Sequence, residues 1–461
     1  MHSNVLIRAF AVAAMVFVPR CLPQESVQQE ASPASYELDI RTFGAECGGG
    51  DDAGAVQAAI DALPDGSTLL VPCVAGIGPS GITLRGKAHV TVRGVNGGGF
   101  TALGSTNTRV MFSVASCFGC TIRDLVIEGR NRGVAAIGLE SCTMTTVRDN
   151  VISNIGYPAQ AAIVGMANRD NRYTGNSITN TGVLYDPSGN IVDATRGIWL
   201  GNESSAYYES FPYVSDNRFL NIGGTAIVAH AFSPIIEGNT GEKLIWSGVK
   251  VVAPASAGGT TRIESNSFKG IGGRYSGGGI QIGSEPNNHE TFLIRNNTLE
   301  GEIESGVYVA RGPFSGRIVD NTIRNSVQAG ITFVCSASGV FIGGNHIEND
   351  GPGKFFNGIR VLADKGMAIR DFEIASNQIR GQTENGILLQ TNGGTIDRVF
   401  IHSNSLAKLN GFGVFIDEKA TANTIRDVRV NANCFIENRM GLLRDNRPLR
   451  LAQPSVVCLK Q

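Results

Sequence analysis

Seven side chains in the middle of the chain carry the cations, rings and proton-transfer groups that sugar chemistry uses. They are Trp199, His230, Lys250, Gln281, Tyr308, Arg311 and Arg360. Removing the C5 proton of a uronate sugar requires a cation that neutralises the carboxylate, a base that takes the proton, and an acid that assists the leaving group or returns a proton. The set contains all three kinds of group, so it predicts β-elimination or C5 epimerisation of an acidic polysaccharide.

Each catalytic role has two candidates among these residues. Lys250 or Arg360 is expected to neutralise the substrate carboxylate. His230 or Lys250 is expected to act as the base. Tyr308 or Arg311 is expected to act as the acid. A solvated sheet position would explain any single Lys or Arg, so the prediction rests on the group rather than on one member.

Two other functions stay open at this point. Glycoside hydrolysis needs two carboxylates about 5–10 Å apart across the scissile bond. Glu203, Glu285 and Asp364 are the candidates, although the central group contains no carboxylate pair. A non-catalytic protein that binds a polysaccharide would use the same surface without a potent base.

The elements that position these residues belong to a repeat. An aliphatic or aromatic residue, two variable residues, Asn, one variable residue and usually another aliphatic residue recur about every 28 positions. The Asn residues of this phrase are Asn150, Asn176, Asn217, Asn239, Asn266, Asn297, Asn321, Asn345, Asn377, Asn404 and Asn433. A fixed period of this length indicates a solenoid. The Asn is assigned to a tight turn, where stacked side chains bond to one another and to backbone, and it is given no chemistry.

A second phrase, Gly-Ile-x-Leu or a variant, lies between most copies of the first. Its Ile and Leu are expected to point inward and its x outward. Stacked strands lie about 4.8 Å apart, so the x positions should form one outward row. The row reads Gly138, Val164, Trp199, Val228, Lys250, Gln281, Tyr308, Thr332, Arg360, Leu388 and Phe415. His230 is placed in the next outward row of the same face.

The longest interval of the repeat separates Asn176 from Asn217. Its extra residues lie on both sides of the Trp199 strand, at 183–195 and 202–213. Long loops on one edge of a solenoid usually build a binding wall. We therefore expect a polymer groove beside Trp199.

Five residues are predicted to contact substrate without taking part in the chemistry. They are Trp199, Gln281, Tyr207, Tyr208 and Glu285. The two tyrosines lie on the second long loop and suit stacking on sugar rings. Glu285 lies in a second candidate wall, residues 284–290, that follows Gln281. Loops whose aromatics merely pack on the protein are the alternative.

The N-terminal region resembles a known cap. Phe43-Gly44-Ala45, then Gly48-Gly49-Gly50-Asp51-Asp52, then a short amphipathic helix at 53–63, then Val71-Pro72, are similar to the N-terminal cap of the pectate-lyase superfamily. Ala53-Gly54 depart from the usual Thr of that motif. The superfamily includes polygalacturonases, pectate and alginate lyases, alginate epimerases and tailspikes. The resemblance implies an all-β, right-handed parallel β-helix of about 11–13 coils with a short N-terminal capping α-helix.

The first residues are typical of a targeting segment. A short basic stretch, 1–8, precedes an apolar run, 9–18, that is too short to span a bilayer. We expect a signal peptide at 1–22, a flexible segment at 23–36, and the β-helix domain at 37–461 with its cap at about 37–75. The protein would then be secreted or periplasmic. Lys and Arg total 39 against 40 Asp and Glu, which gives no indication of nucleic acid or an anionic membrane as a partner.

Nine cysteines fit an exported protein, because export permits disulfides. Cys47–Cys73 and Cys434–Cys458 are the predicted bridges, one at each end of the solenoid. Cys117, Cys120 and Cys142 cluster in sequence, but no His at ligand spacing supports a zinc site.

No cofactor is indicated with certainty, and calcium is possible. Asp417-Glu418, Asp364 and Glu285 offer oxygen ligands, although no fixed spacing supports a site. The polysaccharide partner is expected to be acidic, and the oligomeric state is left open.

Overall fold

The computed structural model describes residues 36–103, 110–202, 207–254, 258–272, 277–284, 290–312, 314–349, 357–381, 384–419 and 424–447. The predicted signal peptide and residues 23–35 of the predicted flexible segment lie outside these ranges. Within them, no helix is long and apolar enough to cross a membrane.

A short helical cap precedes the solenoid. Strand Glu37–Asp39 runs into a 3₁₀-helix, Ile40–Phe43. The α-helix Ala53–Asp61 buries one face, as predicted. Its first N–H groups attract a carboxylate, and Asp51 supplies it, because its Oδ1 accepts from the Ala53 N–H at 3.0 Å.

Each coil after the cap contributes one short strand to each of three parallel sheets. The chain is therefore a parallel β-helix with one short α-helix, as predicted, and it has about 14 turns. Three coils precede the one that contains Asn150. The repeat phrase is missing from those three coils, which is why the sequence predicted only 11–13.

The first sheet runs the length of the solenoid, and from the fourth coil onward each of its strands ends just before the Asn turn. Its strands are Glu37–Asp39, Thr68–Val71, Thr91–Gly94, Thr121–Arg123, Thr146–Arg148, Arg172–Thr174, Tyr213–Ser215, Ile235–Glu237, Thr260–Glu264, Glu290–Arg295, Phe314–Val319, Ala337–Gly343, Ala368–Ala375, Thr395–His402 and Ile425–Asn431.

The second sheet follows the first in each coil, after the Asn turn from the fourth coil onward. Its strands are Val74–Ile77, Gly99–Ala102, Val126–Arg132, Val151–Ile155, Ser177–Thr181, Arg218–Ile222, Thr240–Leu244, Ser267–Ile271, Thr298–Gly301, Thr322–Arg324, His346–Asn349, Gln378–Gly381, Ser405–Ala407 and Cys434–Ile436.

The third sheet contains the Gly-Ile-x-Leu strands. They are Ile82–Arg85, Val110–Ala115, Ala135–Glu140, Ala161–Met166, Arg196–Leu200, Ile227–Phe232, Val249–Ala253, Ile280–Ser284, Ser305–Ala310, Ala329–Val334, Asn357–Asp364, Ile387–Asn392, Phe412–Glu418 and Gly441–Asp445. A two-residue strand, Glu209–Ser210, pairs with Ile227–Phe232, and Val183–Tyr185 forms a separate hairpin with Ile191–Ala194.

Inward side chains of the three sheets build one hydrophobic core along the axis. Phe292, Phe333 and Phe372 are fully or almost fully buried, and consecutive ring centroids lie 6.0 and 5.1 Å apart. Burial of each such ring stabilises the fold by roughly 1.5–3 kcal/mol. The continuous core holds the three sheets in a fixed relation.

The repeated Asn residues form a buried ladder, as predicted. Each is at most 1% exposed. At the centre, Asn266 Nδ2 donates to Asn297 Oδ1 at 3.0 Å and to Ile236 O at 2.9 Å. Its own Oδ1 accepts from both the backbone N–H and the Nδ2 of Asn239. The ladder therefore satisfies turn backbone that would otherwise be buried without partners.

The predicted Cys47–Cys73 disulfide is present and ties the cap to the first coil. Cys434 is also disulfide-bonded, and its predicted partner, Cys458, lies outside the described residues. Cys117, Cys120 and Cys142 are buried free thiols.

Candidate functional site

The outward face of the third sheet contains the predicted row, and its register is confirmed strand by strand. In register order the row reads Trp199, Val228, Lys250, Gln281, Tyr308, Thr332 and Arg360. Adjacent members are separated by about 4.8 Å, the spacing of paired strands. Lys250 is exposed, and Gln281, Tyr308 and Arg360 are half-buried. We call this line of side chains the polar row.

Hydrogen bonds orient two members of the polar row. Gln281 Nε2 donates to Ser247 Oγ at 3.0 Å. Arg360 Nη2 donates to Gln390 Oε1 at 3.4 Å, on the neighbouring strand. Arg311 is exposed at the end of the Tyr308 strand, in the left-handed region with φ of 60°. The predicted cations and Tyr308 therefore share one face.

Tyr308 is the member of the polar row whose protonation is clearly perturbed. Burial raises the pKa of Tyr308, and the neighbouring Glu304 raises it further, whereas the positive charges of Arg311 and Arg360 act in the opposite direction. The phenol therefore remains protonated at neutral pH. It is suited to donate a proton and unsuited to act as a base.

Trp199 lies at one end of the polar row, and charged and aromatic groups hold its indole. The guanidinium carbon of Arg196 lies 4.7 Å from the centre of the Trp199 ring and 5.0 Å from that of Trp246. The indole N–H donates to Gly201 O. Burial of Arg196 lowers the pKa of its guanidinium, which Asp193 opposes. Such desolvated cation–π contacts are worth roughly 2 kcal/mol, so the indole is fixed in place.

His230 does not reach the surface, contrary to its predicted outward exposure. It is 2% exposed and stacks on Trp199, with ring centroids 5.8 Å apart and planes 16° apart. Tyr208, from the loop that follows the Trp199 strand, covers the His230 ring, with ring centroids 6.3 Å apart. The predicted register is correct, since His230 pairs with Val252. The prediction of an exposed side chain was wrong because the loop after the Trp199 strand folds back over the His230 strand and shields the imidazole from solvent.

The loop at 202–213, the second part of the wall predicted beside Trp199, is built differently from the prediction. Tyr208 is 6% exposed and packs on His230 and Phe232, so it offers no stacking surface to a sugar. Tyr207 is 43% exposed, and its contact with substrate stays a prediction. Glu203 and Glu285 lie outside the described residues.

The loop at 183–195, the first part of the predicted wall beside Trp199, is a β-hairpin. Strands Val183–Tyr185 and Ile191–Ala194 pair antiparallel directly before the Trp199 strand. Asp193 Oδ1 forms an ion pair with Arg196 Nη1 at 3.1 Å. The hairpin is thereby connected to the guanidinium that supports the indole.

The loop at 202–213 also contains a fully buried carboxyl group. Glu209 is 0% exposed, its Oε1 accepts hydrogen bonds from Tyr173 Oη at 3.0 Å and from Asn168 Nδ2, and its Oε2 has no hydrogen-bond partner among the described residues. A Cβ at Gly165 would lie 2.1 Å from Glu209 Oε1, so the absence of a side chain there makes room for the carboxyl. Burial raises the pKa of Glu209 to about 7.

The acidic groups proposed as calcium ligands or hydrolytic residues are engaged in local contacts. Asp364 Oδ1 accepts from Asn392 Nδ2 at 3.3 Å, and Asp417 Oδ2 from Gln390 Nε2 at 2.9 Å. Glu418 Oε1 accepts from Thr424 Oγ1 at 2.7 Å. In the part of the chain that the structure describes, no three His, Cys, Asp or Glu side chains are grouped to hold a metal ion.

Sequence reasoning missed Arg196 and Trp246 as parts of the site. Arg196 begins the Trp199 strand and is three residues from the indole, a spacing that alone gives no contact in a strand. Trp246 lies two coils beyond Arg196 in the stack. One signal was available, because one of the two tryptophans of the chain lies within the longest interval and the other lies two coils after it.

Comparison with known proteins supports the fold. A family model described as a right-handed beta helix region matches residues 247–446. No curated protein matches the chain. The chain is a right-handed β-helix of the pectate-lyase-like fold.

Solved structures of low sequence identity share this fold. The catalytic unit of an alpha-1,3-glucanase from Streptomyces thermodiastaticus is 14% identical over 87% of this chain and 68% of its own, with a TM-score of 0.52. PfbA, a surface adhesin of Streptococcus pneumoniae, is 13% identical over 84% and 93%, with a TM-score of 0.52. The periplasmic alginate epimerase AlgG is 12% identical over 78% and 77%, with a TM-score of 0.45. The fold is thus shared with the catalytic unit of a glucanase and with a surface adhesin.

Proposed function

We propose that the chain is an exported protein that acts on an acidic, uronate-containing polysaccharide by β-elimination or C5 epimerisation. The observation that carries the proposal is the polar row, in which Lys250, Tyr308 and Arg360 face outward on one sheet within a few strands of one another. Export is proposed from the apolar run at residues 9–18, and it would place the protein where extracellular or periplasmic polysaccharides occur.

The length and charge of the row suit a polymer of acidic sugars. From Trp199 to Arg360 it crosses six strand spacings, roughly 29 Å at about 4.8 Å each. Lys250, Arg311 and Arg360 supply positive charge along it, and Arg binds carboxylates in a bidentate manner. Several sugar units would lie along the row, with the hairpin and Tyr207 beside its Trp199 end.

Different residues of the polar row can supply the base, the neutralising cation and the acid of the elimination. Lys250 takes the C5 proton, and Arg311, at the end of the Tyr308 strand, neutralises the carboxylate whose charge would oppose that step. Arg360, further along the row, binds the carboxylate of a neighbouring sugar unit. The electron pair of the C5–H bond forms the C4–C5 double bond, and the C4–O bond breaks. Tyr308, which burial keeps protonated, donates its proton to the leaving oxygen.

Epimerisation begins with the same removal of the C5 proton and differs from elimination in the step that follows. A proton then returns to C5 from the opposite face, and the glycosidic bond stays intact. Tyr308 is again the proton donor of the row. The product therefore decides between the two reactions.

The buried position of His230 assigns it a different part in this proposal. A base must reach the proton that it takes, and the His230 ring is enclosed by Trp199 and Tyr208. We infer that His230 is a positioning residue for the indole, and that Lys250 is the base.

One experiment separates the candidate functions. The purified chain is incubated with polygalacturonate, alginate and other uronate polymers, and the ultraviolet absorbance of unsaturated uronate is followed. Rising absorbance identifies a lyase, and a changed uronate composition without chain scission identifies an epimerase. New reducing ends without that absorbance would identify a hydrolase. Retention of a polymer that stays unchanged would leave a binding protein and overturn the proposed chemistry.

A further inference from the structure

An open cavity lies on the outward face of the first sheet, whereas the polar row lies on the third sheet. Its cavity has a volume of about 470 Å³ and is lined by Ser315, Arg317, Phe341 and Glu373, among others. In register, Arg317 pairs with Phe341, Phe341 with Glu373, and Glu373 with Phe400. The first sheet thus has its own outward line of aromatic and charged side chains.

Two glycines shape this cavity. Gly316 adopts φ of +149°, where a Cβ would lie 2.2 Å from Phe292 O, so the strand lies close to its neighbour. A Cβ at Gly343 would lie 2.4 Å from Cζ of Phe341. The Phe341 ring therefore lies over the Gly343 backbone. We call this ring, packed against the sheet beside the hollow, the platform.

Arg317 supplies a positive charge at this platform. Its guanidinium carbon lies 4.9 Å from the centre of the Phe341 ring. Arg295 and Arg398 of the same sheet bind the carboxylates of Glu264 and Asp371. Arg317 has neither an ion pair nor a hydrogen bond with any described residue, so its donors are available to an external carboxylate.

A second ring lies two strands further along the same line. Phe400 is 37% exposed and stacks on His402, with ring centroids 4.1 Å apart and planes 29° apart. His402 Nε2 lies 2.9 Å from Glu373 Oε1, which orients that carboxylate between the two phenylalanines. The rings of Phe341 and Phe400 are therefore separated by roughly 10 Å along the stack.

We propose that this cavity is a second binding site for a short stretch of acidic polysaccharide, distinct from the polar row. A sugar carboxylate binds Arg317, because a guanidinium matches a carboxylate geometrically. The Phe341 ring supports the Arg317 guanidinium. The apolar face of a sugar unit packs on Phe400, and sugar hydroxyls donate to Glu373 and bond with Ser315. Only the acidic nature of the ligand rests on the proposed function. The site would hold the polymer while another part of it occupies the row.

The test uses the full chain carrying Lys250→Ala, so that no turnover occurs during titration. Oligogalacturonates and oligomeric alginate are titrated calorimetrically into this protein with and without Arg317→Gln. Loss of one charge-assisted contact should weaken binding at this site roughly tenfold or more. Phe341→Ala should have a similar effect. Arg324→Gln, which removes an exposed charge from the second sheet, is the matched control and should change nothing.

The outcomes distinguish this site from the proposed function. Unchanged affinity and stoichiometry in both Arg317→Gln and Phe341→Ala would overturn the second site, whatever the wild-type chain does to the polymer. Weaker binding in these variants would support it even if no polymer is turned over. Equal binding of an uncharged glucan would overturn the acidic ligand class.

Discussion

The indole of Trp199 and the imidazole of His230 lie nearly parallel, 16° apart in plane and 5.8 Å apart in centroid, on adjacent strands of the third sheet. Because Tyr208 covers the imidazole, the pair is a packed unit rather than an exposed catalytic dyad. His230 therefore supports the indole of Trp199 and does not reach a substrate proton.

If His230 is a packing partner, a ring of similar shape should replace it. We expect His230→Phe to retain most of the turnover and the thermal stability of the wild-type chain. His230→Ala should destabilise the chain by about 2–4 kcal/mol, because it leaves a cavity beside Trp199. Denaturation midpoints and initial rates measure both effects. Loss of turnover in His230→Phe at unchanged stability would restore His230 as the base.

Lys250→Ala should abolish turnover and leave thermal stability almost unchanged. Lys250 is exposed on the face of the sheet, and exposed substitutions usually change stability by no more than about 0.5 kcal/mol. Lys269→Ala, an exposed lysine of the second sheet, is the matched control and should retain activity. Wild-type activity in Lys250→Ala would remove the residue from the mechanism.

The buried Glu209 should make stability depend on pH. Its folded pKa is about 7, against an ordinary value of 4.5. Below pH 4.5 both states hold the proton, and between 4.5 and 7 only the folded state does, so stability decreases as pH rises through this window. Glu209→Gln should therefore stabilise the chain at pH 8 by on the order of 3 kcal/mol, and far less at pH 4.

Urea denaturation at pH 4, 6 and 8 checks this prediction. Burial also raises the pKa of Glu290 to about 7, so Glu209→Gln alone should flatten the pH dependence only in part. The double variant with Glu290→Gln should flatten it further. A Glu209→Gln chain that is less stable than wild type at pH 8 would show that the carboxylate is ionised and favourably bound.

Interrupting the Asn ladder should be costly. Asn266→Ala removes the donor to Ile236 O and Asn297 Oδ1 and the acceptor for Asn239. Each buried polar group left without a partner costs about 1–3 kcal/mol, so we expect a loss of at least 3 kcal/mol in unfolding free energy. Asn431→Ala, at an exposed position of the first sheet, should cost less than 0.5 kcal/mol. Comparable losses in both variants would contradict a special role for the ladder.

The fold and the register were predictable because the chain repeats its own geometry. A two-residue side-chain period and a recurring Asn turn are sufficient to align Lys250, Gln281 and Tyr308 on one face. The covering of His230 was not predictable, because it depends on where the loop after Trp199 folds. The contact of Arg196 with Trp246 likewise depends on side-chain conformations across two coils. Local patterns encode strands and turns, whereas the depth of a side chain depends on loops that do not repeat.

The aligned amides of the Asn ladder also give the solenoid a dipole along its axis. Every side-chain amide from Asn150 to Asn404 donates to the carbonyl of the next Asn toward the C-terminus. Dipoles aligned head to tail add, and bonds in such a chain polarise one another. The interior therefore contains a line of partial charge, negative toward Asn150 and positive toward Asn433. Flipping a single amide would oppose both neighbours at once, so the ladder locks its members collectively.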